Sequence, residues 1–144
     1  MTDFDGISEE DLAAIRATVE DYFEGWFTSD AGRMERAVHP SLAKRAVVRD
    51  REAGPGLTFD ESPAATMVKL TGEGVGARYG GKVECEVVHA FRYIAAVVAR
   101  TDPYVEYLHV ARTDEGWRII NALWEPTDAW YTDNERFAPY FTGR

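Results

Sequence analysis

The chain changes character near its middle, and this change restricts the possible folds more than any other feature. Within the first 70 residues, apolar side chains recur every three or four positions from Leu12 to Trp26 and again at Met34, Ala37 and Val38, which is the spacing of amphipathic helices. From residue 83 onward, apolar side chains alternate or cluster in short segments separated by polar turns (residues 83–87, 93–99, 104–112 and 117–124). Helices followed by strands predict an α+β domain, with helices packed on one face of a curved antiparallel sheet.

The first helix is the clearest single element. Ser8 is a suitable N-cap, and the apolar stripe then runs through Leu12, Ile15, Val19, Tyr22 and Trp26. A second short helix is predicted after Asp30 and ends before the His39-Pro40 pair, and residues 42–48 are predicted to form a strand. A loop or short hairpin is predicted for residues 50–59, and a third helix for residues 63–70.

Length and composition favour one domain over residues 1–144, with a core at about 8–125 and an aromatic tail at 126–144. The 144 residues are 45% hydrophobic and 28% charged, a balance typical of a compact domain. The single cysteine, Cys85, cannot form an internal disulfide, and no zinc-type spacing is present. With no signal-peptide pattern at the N-terminus, these features predict a cytoplasmic protein that needs neither a metal nor an organic cofactor.

The charge balance restricts the possible partners. Sixteen basic against 25 acidic residues give a net charge of −9, which repels nucleic acids and anionic membranes. We therefore expect no nucleic-acid partner and no membrane association. The 7 Phe, 7 Tyr and 4 Trp exceed what a core of this size needs, so a lined cavity or a buried interface is expected.

The polar turn at residues 113–116 predicts how the last two strands pair. If Arg112 lies opposite Trp117, regular alternation places Val105, Tyr107 and His109 on one face. The facing side chains on the last strand are then Ile120, Ala122 and Trp124, and the other face carries Leu108, Val110, Ile119, Asn121 and Leu123. Because both faces are largely apolar, both should be covered. The helices can cover one face, and a second copy of the sheet is the simplest cover for the other, so a homodimer is predicted.

Several segments of this sequence together resemble the nuclear transport factor 2-like superfamily, and most closely its branch of lumazine-binding proteins. The segments are residues 19–27 with Asp30, residues 39–45, and above all residues 107–112 and 116–124. The resemblance covers about residues 8–125 and implies a cone-shaped fold, with a pocket between the helices and the bent sheet. Superfamily members include isomerases, cyclases, dehydratases and carriers without catalytic activity, so the resemblance alone does not identify a reaction.

The resemblance also implies positions for the site. In the isomerase relatives, the pocket carries a tyrosine on the first helix, an acid after the second helix, an acid on the penultimate strand and a tryptophan near the end of the last strand. Tyr22 and Trp124 match the tyrosine and the tryptophan. The strand acid is matched to Tyr107, and the other acid position falls near Arg45 or Ala46, so the base of an isomerase is missing.

From these considerations the predicted catalytic group is His109 with Tyr22 and Tyr107, in which an imidazole moves a proton and two hydroxyls orient a carbonyl. A bonded core histidine is the alternative reading of His109. The predicted ligand-binding residues are Trp26, Trp124, His39 and Arg45. Three functions remain open: a pocket protein for a flat or apolar metabolite, a cofactor-independent cyclase, isomerase or dehydratase, and a protein assembly module.

Overall fold

The computed structural model describes residue 4 and residues 6–49, 57–78 and 81–132. Four α-helices occupy Glu9–Thr28 (α1), Ala31–Ala37 (α2), Ala64–Gly72 (α3) and Asp128–Thr132 (α4), and a short 3₁₀ helix occupies Gly76–Arg78. The strands are Val38–Arg49 (β1), Leu57–Glu61 (β2), Glu84–Phe91 (β3), Ile94–Arg100 (β4), Tyr104–Thr113 (β5) and Gly116–Pro126 (β6). The tail aromatics Phe137, Tyr140 and Phe141 lie outside the described residues.

Helix α1 lies on the sheet in the position that its apolar stripe predicts. The Ser8 hydroxyl accepts a hydrogen bond from the Asp11 backbone N–H at 3.0 Å and thereby caps the helix. The Asp11 carboxylate in turn accepts a hydrogen bond from the Trp117 Nε1–H at 3.2 Å, and this bond is the main cause that lowers the pKa of Asp11. The start of the helix is therefore tied to β6, and the rest of its stripe is buried against the sheet (Ile15, Val19, Tyr22, Phe23 and Trp26).

The six strands form one sheet in the order β2-β1-β6-β5-β4-β3. Four of the five neighbouring pairs are antiparallel, as predicted for the strands from residue 83 onward, and β1 joins the sheet parallel to β6, so the sheet is mixed. The long connection permits the parallel pairing, since α3, the 3₁₀ helix and four strands (β2 to β5) separate β1 from β6 along the chain. Helices on one face of this bent sheet give the cone-shaped α+β fold.

Three register shifts bend the sheet, and the one on β6 changes which side chains face the helices. Val110 pairs with Ile119, whereas the preceding β5 residue, His109, pairs with Asn121, so Ile120 is an extra residue. Such a bulge reverses the alternation on the bulged strand beyond it. Trp117 and Ile119 before the bulge, and Ala122 and Trp124 after it, consequently all face inward and are buried.

Close backbone contact with the end of α1 explains one glycine of the glycine-rich segment at residues 71–81, namely Gly76. A Cβ atom on Gly76 would lie 2.4 Å from the Trp26 carbonyl oxygen, closer than real Cβ atoms come to backbone.

Part of the C-terminal tail covers this chain's own sheet. Trp130 of α4 packs on Trp124 of β6, with ring centroids 5.6 Å apart. Among the described helices, none combines the length and the apolar character that crossing a membrane requires.

Candidate functional site

Three polar side chains from three different elements meet inside the apolar core. Tyr22 comes from α1, Lys44 from β1 and Glu106 from β5, and they are 2%, 7% and 0% exposed. On β1, Lys44 lies between the buried Leu42 and Ala46, which are two residues away on either side. Strand alternation therefore requires Lys44 to face inward with them.

The three side chains form a closed triangle. The Tyr22 hydroxyl donates to Glu106 Oε2 at 2.9 Å and accepts a hydrogen bond from Lys44 Nζ. Lys44 Nζ also lies 3.1 Å from the same carboxylate oxygen, Oε2. Each side chain thus contacts the other two, and this arrangement fixes the direction of the carboxylate.

The triangle contains a buried ion pair, which is costly to build in an apolar interior. Removing the two charges from water costs several kcal/mol for each ion, and their mutual attraction recovers this only when the geometry is good. The Lys44 ammonium gains further contacts with two aromatic rings, at 5.0 Å from the Tyr22 centroid and 6.0 Å from that of Trp124. Hydrophobic residues of similar size would fill this space at a lower cost in folding free energy. The stability of the fold alone therefore does not explain the cluster.

One atom of the cluster is not satisfied by the protein. Glu106 Oε1 is buried and has no hydrogen-bond partner among the residues that the structure describes. A buried acceptor without a partner costs about 1–3 kcal/mol and more when it is charged, and such groups are rare in folded proteins. The second carboxylate oxygen therefore has capacity for a donor that the described residues do not supply.

A groove of about 420 Å³ lies next to the cluster, between α1 and the strands β3 and β4. Its apolar wall consists of Val19, Phe23, Val83, Cys85, Val87 and Val97, and its charged rim of Arg16, Glu20, Glu24 and Glu86. The Phe23 ring meets the Tyr22 ring edge-to-face, with centroids 4.9 Å apart. The wall of the groove is thus in direct contact with one member of the cluster.

The sheet register gives a second connection between the groove and the cluster. Cys85 pairs with Ala99, and Ala99 pairs with Glu106, so the three side chains form one row on the inner face. Adjacent strands are about 4.8 Å apart, which places the Cys85 and Glu106 backbones about 10 Å from each other. Cys85 lines the groove, whereas Ala99 and Glu106 are fully buried behind its wall.

The pKa of the Cys85 thiol depends on both the apolar wall of the groove and Glu106. Partial burial in the apolar wall, and then the negative charge of Glu106, raise the pKa of Cys85 to about 11. The thiolate is the reactive form, so only about one thiol in a thousand is ionised at pH 8. Cys85 therefore lines the groove as a neutral group.

We expect Cys85 to react with iodoacetamide roughly 100-fold more slowly at pH 8 in the folded protein than in urea, where the thiol has an ordinary pKa. The rate in the folded protein should still rise about tenfold per pH unit from pH 7 to 9.5, because the raised pKa keeps the thiol protonated over that range. Mass spectrometry of quenched samples gives both rates. A folded-state rate that levels off below pH 9 would contradict this expectation.

The structure brings together only some of the residues that the sequence predicted for the site. Tyr22, Trp26 and Trp124 are 2%, 4% and 3% exposed and face the interior. Tyr107 and His109, in contrast, lie on the outer face of the sheet, where Tyr107 is 55% exposed and His109 Nδ1 is 3.2 Å from the Asn121 amide. The inward orientation predicted for Tyr107 and His109 is wrong, because the bulge at Ile120 shifts the pairing by one residue.

His39 and Arg45 also lie away from the cluster. His39 is half-buried at the start of β1, and its Nδ1 accepts a hydrogen bond from the Ser41 backbone N–H at 3.0 Å. Arg45 is exposed on the outer face and pairs with Glu61 at 3.3 Å. The structure therefore places neither side chain beside the Tyr22 hydroxyl, and the inward-facing cation is the preceding residue, Lys44.

Sequence reasoning missed Lys44 and Glu106, although a signal for each was present. Leu42, Lys44 and Ala46 share the inward parity of β1, and Glu106 shares that of Tyr104 and Leu108 on β5. The consecutive apolar pair Ile119 and Ile120 is compatible with a bulge on β6 but does not locate it. A one-residue shift would have moved the strand acid from Tyr107 to Glu106.

Within the described ranges, no group of three or more His, Cys, Asp or Glu side chains is placed to hold a metal ion. The chemistry available to the cluster is that of its own groups: an ammonium, a phenol hydroxyl and a carboxylate. These groups can bind and orient a polar end of a molecule whose apolar part lies along the groove.

Comparisons with known proteins identify relatives of the whole fold. A sequence model of the family described as "Putative lumazine-binding" matches residues 10–125. The structure of a nuclear transport factor 2-like protein of unknown function from Silicibacter pomeroyi is 18% identical with a TM-score of 0.63, and the match covers 82% of this chain and 97% of that one. A comparison with curated proteins finds no significant match.

Two further solved structures are similar at lower scores. A protein of unknown function with the same fold from Methylobacillus flagellatus is 15% identical with a TM-score of 0.60, over 86% of this chain and 98% of that one. A ketosteroid isomerase-like protein from Erwinia carotovora atroseptica is 14% identical with a TM-score of 0.53, over 83% and 98%. Sequence identities this low establish a shared fold alone and say nothing about activity.

Proposed function

Because the chain belongs to the family described as "Putative lumazine-binding", within the nuclear transport factor 2-like superfamily, we propose that it binds a small, flat, largely apolar molecule on the inner face of its sheet. The observation that carries this proposal is the buried triangle of Tyr22, Lys44 and Glu106, next to a groove that opens to solvent. The groove is large enough for a bicyclic ring system.

The aromatic surroundings support a flat ligand. Trp124 meets Tyr104 and Trp130 edge-to-face, both with centroids 5.6 Å apart, and Phe23 stacks with Phe27 at 6.4 Å. Among these rings Phe23 lines the groove and offers an aromatic surface to a planar ligand, whereas Tyr104, Trp124 and Trp130 are buried outside the groove lining. Lumazine, a planar bicyclic compound that the family name mentions, is therefore a suitable first probe.

The chemistry favours binding over the predicted catalytic group. His109 and Tyr107 lie on the opposite face of the sheet from Tyr22, so the three side chains do not share a cavity. A proton-transfer reaction would instead have to use the buried triangle, in which the ammonium of Lys44 already contacts the carboxylate. Binding without turnover needs no group beyond those present.

We expect Cys85→Trp to abolish binding, because the indole would fill the groove at the point where it approaches Glu106. Val88→Trp is the matched control: Val88 is on the same strand, is 46% exposed and does not line the groove. Native mass spectrometry of freshly purified protein, before and after addition of lumazine, should show a bound small molecule in the wild type and in Val88→Trp only.

Equal retention of a bound molecule by Cys85→Trp would place the ligand elsewhere. A wild-type protein that carries no molecule and binds neither lumazine nor related heterocycles would contradict small-molecule binding as such. An assembly module would then be the better reading.

A homodimer through the outer face of the sheet is the second part of the proposal. This face is apolar and exposed across several strands, with Phe59 at 67%, Ile94 at 59%, Tyr107 at 55% and Leu123 at 45%. Exposed apolar surface of this extent on one side of a sheet supports the proposal of an interface there. The face was predicted from the sequence to be covered, although Leu108, Val110 and Ile119, which were assigned to it, are buried on the inner side.

A further inference from the structure

The carboxylate of Glu106 is satisfied on one side only. Its Oε2 receives the Tyr22 hydroxyl and the Lys44 ammonium, at 2.9 and 3.1 Å. Its Oε1 is buried and has no partner within the part of the chain that the structure describes. A carboxylate can accept about two hydrogen bonds on each oxygen, so the capacity that remains is for donors alone.

The charge state of the pair determines the direction of the hydrogen bond that a ligand can make. A buried acid without a counter-charge can stay neutral and donate a hydrogen bond, as a protonated aspartic acid does in ketosteroid isomerase. Here the Lys44 ammonium contacts Oε2 directly, and the two groups form an ion pair in which both neighbouring donors point at the carboxylate. Glu106 is therefore an acceptor, the reverse of that isomerase arrangement.

We propose that Glu106 Oε1 accepts a hydrogen bond from an N–H or O–H of the bound molecule, so that the site selects flat heterocycles with a donor edge. This inference rests on the proposed function. Oε1 lies on the inner face, in the row that reaches the groove through Ala99 and Cys85. Glu106 does not line the groove itself, so the ligand has to enter past Cys85, beyond the present wall, to reach Oε1.

The charges around the groove also favour a ligand that is not an anion. Its rim carries three carboxylates, those of Glu20, Glu24 and Glu86, against the single cation of Arg16. The whole chain has a net charge of −9. An anionic ligand is repelled by both, whereas a neutral or cationic molecule with an N–H is not. The site should therefore discriminate against carboxylates and phosphates.

The test uses matched pairs of heterocycles that differ only in methylation of nitrogen: lumazine and 1,3-dimethyllumazine, benzimidazole and 1-methylbenzimidazole, and indole and 1-methylindole. Isothermal titration measures each affinity. We expect at least one N–H compound to bind, and its N-methyl partner to bind at least about tenfold more weakly, because the methyl group leaves Oε1 unpaired. The double variant Lys44→Met/Glu106→Leu, which removes both charges, should reduce this preference to less than about threefold.

The two possible failures are distinguishable. If compounds bind but methylation does not weaken them, the acceptor role of Oε1 is wrong and the pocket stands. An N–H preference that persists in the double variant would assign the acceptor to another group and would equally overturn the inference. If no compound of either set binds, the proposed pocket is wrong and the inference falls with it.

Discussion

Lys44→Met is expected to lower the free energy of unfolding by about 3–5 kcal/mol, because it leaves the charge of Glu106 buried without its counter-ion. The methionine fills a similar volume, so lost packing adds little. For a chain of this size the change corresponds to a fall in Tm of roughly 8–15 °C. Urea unfolding and thermal unfolding, both followed by circular dichroism, measure the two quantities.

Two variants separate the buried charge from other effects. Lys44→Met/Glu106→Leu should recover most of the lost stability, because it removes both ions and leaves an apolar interior. Lys69→Met is the matched surface control: Lys69 of α3 and Glu73, which follows the helix, are 3.8 Å apart and exposed, so its effect should stay below about 0.5 kcal/mol. If Lys44→Met costs no more than Lys69→Met, the ion pair is not a buried one.

Leu123→Glu is expected to convert the protein from a dimer to a monomer. Leu123 lies on the outer face, 45% exposed, between Arg45 of β1 and Tyr107 of β5. A glutamate there would bring two charges into the interface of a symmetric dimer, where the neighbouring Arg45 is already paired with Glu61, and should weaken association by at least about 100-fold. Sedimentation equilibrium at micromolar concentration measures the molecular mass, and circular dichroism shows whether the fold is retained.

Ala17→Glu is the control for this variant, since it places the same charge on the exposed side of α1. It should leave the mass unchanged. A monomeric wild type, or a Leu123→Glu variant that remains dimeric, would contradict the proposed interface. A monomeric wild type would leave the exposed Phe59 and Tyr107 for another partner.

The order of the elements and the position of α1 could be predicted because they depend on local signals. The cap at Ser8 and the stripe from Leu12 to Trp26 are sufficient for the helix, and the turn at residues 113–116 correctly pairs Arg112 with Trp117. Strand β1 was predicted from residue 42 but begins at Val38, since pairing with Ile119 adds residues on the far side of Pro40. The parallel pairing of β1 depends on distant contacts that no local pattern encodes.

The candidate site could be predicted only on its helical side. Tyr22 and Trp26 follow from helical spacing, which no insertion disturbs between them. Predicting the sheet side of the site required the strand register beyond Ile120. Ile119 and Ile120 are both apolar, so their polarity does not reveal the bulge. Because this one extra residue was not detected, the inner and outer faces of β5 were exchanged in the prediction. Tyr107 was therefore assigned to the site in place of Glu106.

The triangle of Tyr22, Lys44 and Glu106 also limits how this site can evolve. Replacing either charged residue alone passes through an intermediate with an unpaired buried charge, whereas replacing both together avoids it. Descendants of a common ancestor should therefore either keep the two residues as a pair or have exchanged both for neutral ones. A change of ligand is then easier through the wall of the groove, at Cys85 or Val87, than through the polar centre.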